Sequence, residues 1–362
     1  MIPPVEDVTD SFGRKKNDND KLRRKERENL RRATPMGLSA DKEEKEEDHL
    51  FTYCSAGLPA SIIEKYQDYK SRVFVDADPK YGTLEGVLEI FRSWRETDPN
   101  SYKDAFASLC IPKIILPFVH LEVLLWTPLE LNSTPLESMN WFELLLKYGD
   151  PINGPNELDL RLIPPVFERV IIPKLTGLIT HSWNVAAYFQ TIRLKRFILH
   201  VSTTYAFLLE NQAMKVLSSA ILEKLKKYVE HFVYFPKVEF ASAVSLTLIT
   251  RSLKILKNCL EWSGILPIFA LQDVVMDSII NPRVLPSLKL CPPALAVYHV
   301  QQIISVLPAE WITDICCSPL LYFVRVLARK CIRLHLKNEV QICIELLKVF
   351  KDEKEIEKLN LL

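Results

Sequence analysis

Ten basic and four acidic residues crowd the stretch RKKNDNDKLRRKERENLRR, Arg14 to Arg32, and this is where the chain concentrates side chains able to bind a polyanion or an import receptor. Arg14, Lys15 and Lys16, then after a short spacer Lys21, Arg23, Arg24 and Lys25, with Arg31 and Arg32 beyond, have the spacing of a bipartite nuclear import signal. The same charges suit contact with the phosphate backbone of DNA or RNA, and a solvated flank is the third reading. Sequence-specific reading of base edges needs an element that carries side chains into a groove. No zinc-finger spacing, leucine zipper or clear helix-turn-helix adjoins the block. Import is therefore the most economical reading.

Other chemistry is hard to find. There is no Gly-x-Ser-x-Gly elbow and no Cys in a recognised nucleophile signature. Gly82 and Gly86 are the closest pair to a phosphate loop, but no Lys-Ser/Thr follows them, so they read as a turn and a helical glycine. Cys316 and Cys317 are adjacent, which on a helix sends them to different faces and makes them core thiols rather than metal ligands. The seven histidines form no His-x-x-x-His pair, and His120, His200 and His231 sit among apolar neighbours, where a hydrogen-bonded structural imidazole is expected. The carboxylates around Lys351 to Lys358 alternate with lysines, as on a solvated helix end. The expectation is a non-enzymatic chain with no catalytic residue, cofactor, metal or small-molecule substrate, unless distant residues assemble a site on a helical array.

The elements that would carry any site fall into two parts. Residues 1–54 hold the basic block and then DKEEKEED at Asp41 to Asp48; neither can bury a core, so this part is expected to be disordered. Residues 55–362 change character beyond about Leu58, with apolar residues recurring at i, i+3, i+4 and i+7. Thr83 to Glu96 shows the pattern: Leu84, Val87, Leu88, Phe91 and Trp94 share a stripe opposite Glu85, Glu89, Arg92 and Arg95. Further stripes run over about 135–148, 164–182, 191–209, 213–232, 240–262, 271–280, 293–306 and 320–350. Thr134-Pro135, Asp98-Pro99 and Ser318-Pro319 resemble caps followed by Pro at the first helical position.

Nine Gly against 23 Pro tilts the chain away from nucleotide-binding α/β folds and toward all-α. LCIPKIILPF at Leu109 to Phe118 echoes VIIPKLTGLI at Val170 to Ile179. The expected fold is therefore all-α, an irregular armadillo-like or HEAT-like array of helical hairpins. The six tryptophans, Trp94, Trp126, Trp141, Trp183, Trp262 and Trp311, read as core, with an interface role open for some.

At 362 residues the chain can bury a large core in two domains or one elongated array. A net charge of +1 gives no global pull toward nucleic acid or membrane. Eight cysteines scattered through apolar runs, without a secretory leader or an unbroken apolar stretch of about 18 residues, point to a reducing, soluble compartment and no membrane.

Several stretches carry a resemblance. SYKDAFASLCIPKIILPFVHLEVLLWTPLE (Ser101 to Glu130), MNWFELLLKYG (Met139 to Gly149), IPPVFERVIIPKLTGLITHSWN (Ile163 to Asn184), LKNCLEWSGILPIFALQDVVMDSIIN (Leu256 to Asn281) and VQQIISVLPAEWI (Val300 to Ile312) follow one another as in the C-terminal domain of the GC-rich sequence DNA-binding factor and Pax-binding protein family. The basic run followed by GLSADKE at Gly37 to Glu43 resembles that family's basic-to-acidic junction. The chain departs from the pattern at Leu116-Pro117, where the family usually has Asn-Pro, and at Asn281-Pro282-Arg283. The resemblance implies a nuclear protein-interaction scaffold in pre-mRNA splicing, with spliceosomal proteins, including tuftelin-interacting-type factors, as partners. It also implies a longer N-terminal region than this chain carries, as in a short homologue, an isoform or an incomplete gene model. A transcription regulator contacting GC-rich DNA through Arg14 to Arg32 is the alternative. A cytoplasmic helical-repeat adaptor is the third.

Overall fold

A computed structural model describes residues 60–131, 133–149, 162–205, 208, 211–232 and 242–360; the blocks expected over residues 1–54 lie outside the described residues. The described residues are helical, with no strand among them, and the all-α expectation holds. Helix α1 (Ala60–Arg72) is followed by the short α2 (Pro79–Gly82) and by α3 (Leu84–Thr97). Thr83 caps α3 by accepting from the Gly86 N–H at 3.1 Å. Leu84, Val87 and Leu88 bury the expected stripe. Asp98 caps α4 (Pro99–Asp104), accepting from Ser101 N–H at 3.1 Å with Pro99 in the first turn, as its sequence suggests.

The next helix, α5 (Ala107–Val123), is one for which the periodicity shows no stripe. It carries Pro112 and Pro117 internally and is apolar on nearly every side, so the contrast that marks an amphipathic helix is missing. Its buried side holds Ile111, Ile115, Val119 and Val123. A 3-10 turn (Leu136–Ser138) then leads into α6 (Asn140–Gly149), so the stripe expected from Pro135 is divided, and Pro135 precedes the turn as its cap residue rather than occupying the first helical position.

Residues 163–181 form one rod, α7, in which Ile163–Val166 and Ile172–His181 flank a π-helical stretch, Phe167–Ile171. Pro173 has no N–H to give, and the register opens to i→i+5 just before it, with Ile172 N–H on the Phe167 carbonyl. Beyond lie α8 (Tyr188–Thr204), α9 (Gln212–Phe232) and α10 (Ser242–Leu260). A second rod, α11 over residues 268–290, has its π-helical portion at Asp273–Val284 around Pro282. Then come α12 (Pro293–Val306), the short α13 (Ala309–Ile312), a 3-10 turn (Ile315–Cys317), α14 (Ser318–Arg333), α15 (Lys337–Val349) and α16 (Glu353–Asn360).

The stripe expected to run unbroken over 320–350 is in fact two helices. The chain reverses at Leu334–Leu336 with His335 at φ 57, and Leu336 N–H closes on the Cys331 carbonyl at 3.0 Å. Ser318, read as a cap, is already the first residue of α14, and Cys317 stands at the cap without a side-chain bond.

Packing runs mainly between near neighbours: α3 with α5 and α6, α5 with α7, α7 with α9, α9 and α10 with α11, and α12 with α14 and α15. One buried cluster extends from Leu84 to Leu359. Helix lengths from 4 to 21 residues show that the echo between α5 and α7 does not extend to a fixed repeat length. Trp126, Trp141, Trp183, Trp262 and Trp311 are in this core as expected, while Trp94 is partly buried and meets Tyr102 edge-on at 5.6 Å.

Candidate interaction surfaces

Arg14, Lys15, Lys16, Lys21, Arg23, Arg24, Lys25, Arg31 and Arg32 lie outside the described residues. Among the described residues no group of three or more His, Cys, Asp or Glu could hold a metal ion.

His200 and His231 are hydrogen-bonded as expected, but on the surface rather than among apolar side chains. His120, His200 and His231 are exposed, on the solvent faces of α5, α8 and α9. His200 Nε2 lies 2.7 Å from Glu137 Oε1, and His231 Nδ1 donates to the Lys227 carbonyl at 2.7 Å. Among the described residues the buried imidazole is His299 on α12, with neither ring nitrogen paired to a protein group. Burial pushes its pKa down.

Cys316 and Cys317 also differ. They sit in the 3-10 turn rather than along an α-helix, and their sulfurs approach to 4.0 Å instead of diverging. Burial raises both thiols, Cys317 to about 12. Cys343 and Cys259 are also pushed up to about 12. Thiols held protonated in this way are poor nucleophiles and poor metal ligands.

The acidic-basic C-terminus is less solvated than its alternating charges suggest. Glu355 is buried and accepts from Arg329 Nε at 2.8 Å, and Arg325 Nε donates to Asp352 Oδ2 at 2.6 Å. These pairs fasten α16 and the turn before it to α14.

Depressions at two places on the described surface are large enough for a small molecule. One of about 500 Å³ lies where the end of α7 meets α9 and is lined by His181, Asn184, Lys224, Lys227, Tyr228 and His231 among others. Its cations are engaged locally. Lys224 Nζ donates to the Thr180 carbonyl at 2.7 Å, closing the C-terminal end of α7, and Lys227 pairs with Glu223 at 2.6 Å. The second, about 540 Å³, lies between α8, α9 and the Gly264–Pro267 loop and is mainly apolar, with Ile198, Leu199, Met214, Leu222, Ile265 and Leu266.

The third surface feature is the outer face of α5. Phe106 is 65% exposed, Leu109 59%, Leu124 52% and Ile114 41%, with Cys110 and Pro117 also exposed. Only Lys113 and His120 interrupt this face with polar groups. At 3.6 residues per turn the positions within α5 share one arc opposite Ile115 and Val119, and Phe106 precedes it at the cap. The one carboxylate of the helix, Glu122, is turned toward α6, where it accepts from the Trp141 backbone N–H at 3.2 Å. Helix α1 borders the arc: Phe74, beyond its end, stacks on Phe118 with centroids 5.0 Å apart, and the Tyr66 hydroxyl donates to the Leu121 carbonyl.

Residues 84–234, from α3 to just past α9, match the family described as GC-rich sequence DNA-binding factor-like protein. The chain is 29% identical over 293 residues to human "PAX3- and PAX7-binding protein 1", a match covering 77% of this chain and 31% of that protein. It is 28% identical over 263 residues to mouse "Intron Large complex component GCFC2", covering 68% of this chain and 34% of the relative. It is also 27% identical over 234 residues to "Transcriptional repressor ILP1" of Arabidopsis thaliana, covering 61% and 25% respectively. The match thus spans a third or less of the length of these relatives, apart from 34% in the mouse protein.

Proposed function

The chain belongs to the GC-rich sequence DNA-binding factor-like family, and from that premise we propose that it is a non-enzymatic nuclear scaffold that joins a protein complex acting on excised introns during pre-mRNA splicing. The observation that carries this reading is the match of an all-helical chain, over most of its length, to relatives named as a binding protein and as an intron complex component. The relatives' names support it, since one is called an intron complex component and another a binding protein. Partners on this reading are spliceosomal proteins, including tuftelin-interacting-type factors.

In this proposal Arg14, Lys15, Lys16, Lys21, Arg23, Arg24 and Lys25 serve import, with Arg31 and Arg32 extending the cationic run. A second reading, transcriptional regulation through DNA contact by the same block, draws on the relative named a transcriptional repressor. It predicts binding that falls steeply with salt.

The test is quantitative proteomics of the tagged chain from nuclear extract, with and without nuclease, beside a variant with those nine basic residues changed to Gln. Nuclease-resistant recovery of splicing factors by both proteins, with the variant supplied directly to the extract, supports the scaffold. Nuclease-sensitive recovery that disappears in the variant favours nucleic-acid binding. Recovery of no splicing factor by either overturns the splicing role.

A further inference from the structure

We propose that the outer face of α5 is a docking site for an amphipathic helix of a partner protein whose apolar stripe is flanked by carboxylates. The inference rests on the scaffold reading and specifies the chemistry of the partner.

A helix that is apolar on all sides belongs in an interior. Helix α5 buries Ile111, Ile115, Val119 and Val123 on one side yet leaves Phe106, Leu109, Ile114 and Leu124 between 41% and 65% exposed on the other. Single exposed apolar residues are unremarkable, but a continuous row of them marks an interaction site. From Phe106 to Leu124 the row is about 27 Å long at 1.5 Å per residue, room for a partner helix of about five turns.

The joint at the start of the row points the same way. Phe106 sits at φ 51, ψ 38, between α4 and α5. A bulky aromatic residue in the left-handed region is strained, and such strain concentrates at functional positions. Here it presents a phenyl ring that is 65% exposed to solvent.

The geometry favours a helix as occupant. An apolar row along one helix beside a second helix is the kind of groove into which an amphipathic helix lays its apolar side. Beside the row, α1 and the Phe74–Phe118 stack form one wall.

Charge decides which helix. The polar groups on the arc are Lys113 and His120, the Lys174 ammonium of α7 donates to the Leu124 carbonyl at its far end, and the carboxylate of Glu122 is committed to the α6 backbone. A second copy of the chain docking through the same face would set the lysines and histidine of one copy against those of the other. A foreign helix with Glu or Asp beside its apolar stripe complements Lys113.

The test uses the purified full chain and two fluorescein-labelled helical peptides that share one leucine stripe, one flanked by Glu and the other by Lys. Fluorescence anisotropy is expected to show saturable binding of the Glu-flanked peptide, weakened at least about tenfold by Leu109→Gln with Ile114→Gln, the loss of roughly 1.4 kcal/mol or more. Lys113→Glu is expected to shift preference to the Lys-flanked peptide; since this position is exposed, the variant tests charge without disturbing the core. Circular dichroism melting identifies any variant that fails to fold, and Leu109→Gln alone then replaces the pair.

Absence of saturable binding overturns the proposal, as does equal binding of both peptides. Self-association lost in the Leu109→Gln variant would instead assign the face to a second copy and overturn it. Protection of Cys110 from iodoacetamide in the isolated chain would show that the face is already covered, with the same consequence. None of these outcomes bears on the proteomic test, so the docking face and the splicing role fail separately.

Discussion

The hydroxyls of Tyr102 on α4 and Tyr148 on α6 lie 2.8 Å apart inside the core, joining two helices that are 46 residues apart in sequence. Both side chains are fully buried, and the Arg95 guanidinium carbon stands 4.9 Å from the centre of the Tyr148 ring. Tyr102→Phe takes one hydroxyl from the pair and is expected to cost about 1–2 kcal/mol. Tyr102→Phe with Tyr148→Phe should cost less than the sum of the two single changes, because the second removal leaves no stranded partner in the pair. Urea denaturation of the four proteins closes the cycle, and additive single effects would show that the two hydroxyls are not coupled.

Two helical glycines should respond to alanine in opposite directions. A Cβ on Gly86 would come within 2.7 Å of the Lys80 carbonyl oxygen and 2.9 Å of that of Pro79, backbone atoms that cannot swing away. Gly86→Ala is therefore expected to destabilise by about 2 kcal/mol as α2 is forced off α3. Gly177 lies within α7 with nothing inside 4 Å of the same point. Gly177→Ala should stabilise by about 0.5–1 kcal/mol through helix propensity. Calorimetric melting of both variants decides the signs.

How much of this architecture the residues announce depends on contrast. Helix α3 is legible because Thr83 and Asp98 bracket a stripe that is apolar on one side and charged on the other. Helix α5 is not, since Leu109 and Ile114 outside look the same in sequence as Ile111 and Ile115 inside. The break between α14 and α15 is hidden for a related reason: His335 and, at the end of α15, Lys351 occupy left-handed positions where Gly usually signals the stop. The nine glycines of the chain are not spent on these ends. Charge alternation likewise concealed the burial of Glu355, because its partner Arg329 comes from a different helix. The basic block stands out in sequence by charge alone, whereas the α5 face becomes visible only once the core has claimed its opposite side.

Thiol reactivity offers a direct reading of that burial. Cys259, Cys317 and Cys343 are enclosed and pushed up to about 12 by burial, so at neutral pH they offer almost no thiolate. Cys110 is exposed on α5. Brief treatment of the native chain with iodoacetamide at pH 7.5 should modify Cys110 while sparing those three, and all should react in about 6 M guanidinium chloride, which unfolds the chain. Peptide mass spectrometry reads each site; rapid native labelling of Cys259 or Cys343 would contradict the packing of α10 or of α15 against α14.

The last expectation concerns acid. His299 is buried on α12 with Nδ1 and Nε2 unpaired, and burial holds its pKa below the ordinary value. In the unfolded chain the ring takes up a proton near pH 6.5. Between that pH and the lower folded value, the unfolded state binds more protons than the folded state, so stability falls as pH falls. Below the folded value both states are protonated and this contribution levels off; well above pH 6.5 both are neutral and it vanishes. His299→Leu abolishes the linkage whatever it does to packing. The difference in Tm between the native chain and this variant should therefore change in the variant's favour as the buffer goes from about pH 7.5 to 5.0, a range that brackets the unfolded histidine. Carboxylates elsewhere titrate alike in both proteins and cancel in the difference. Parallel melting curves across that range would mean that the ring is protonated as readily in the core as in water, and that α12 does not enclose it.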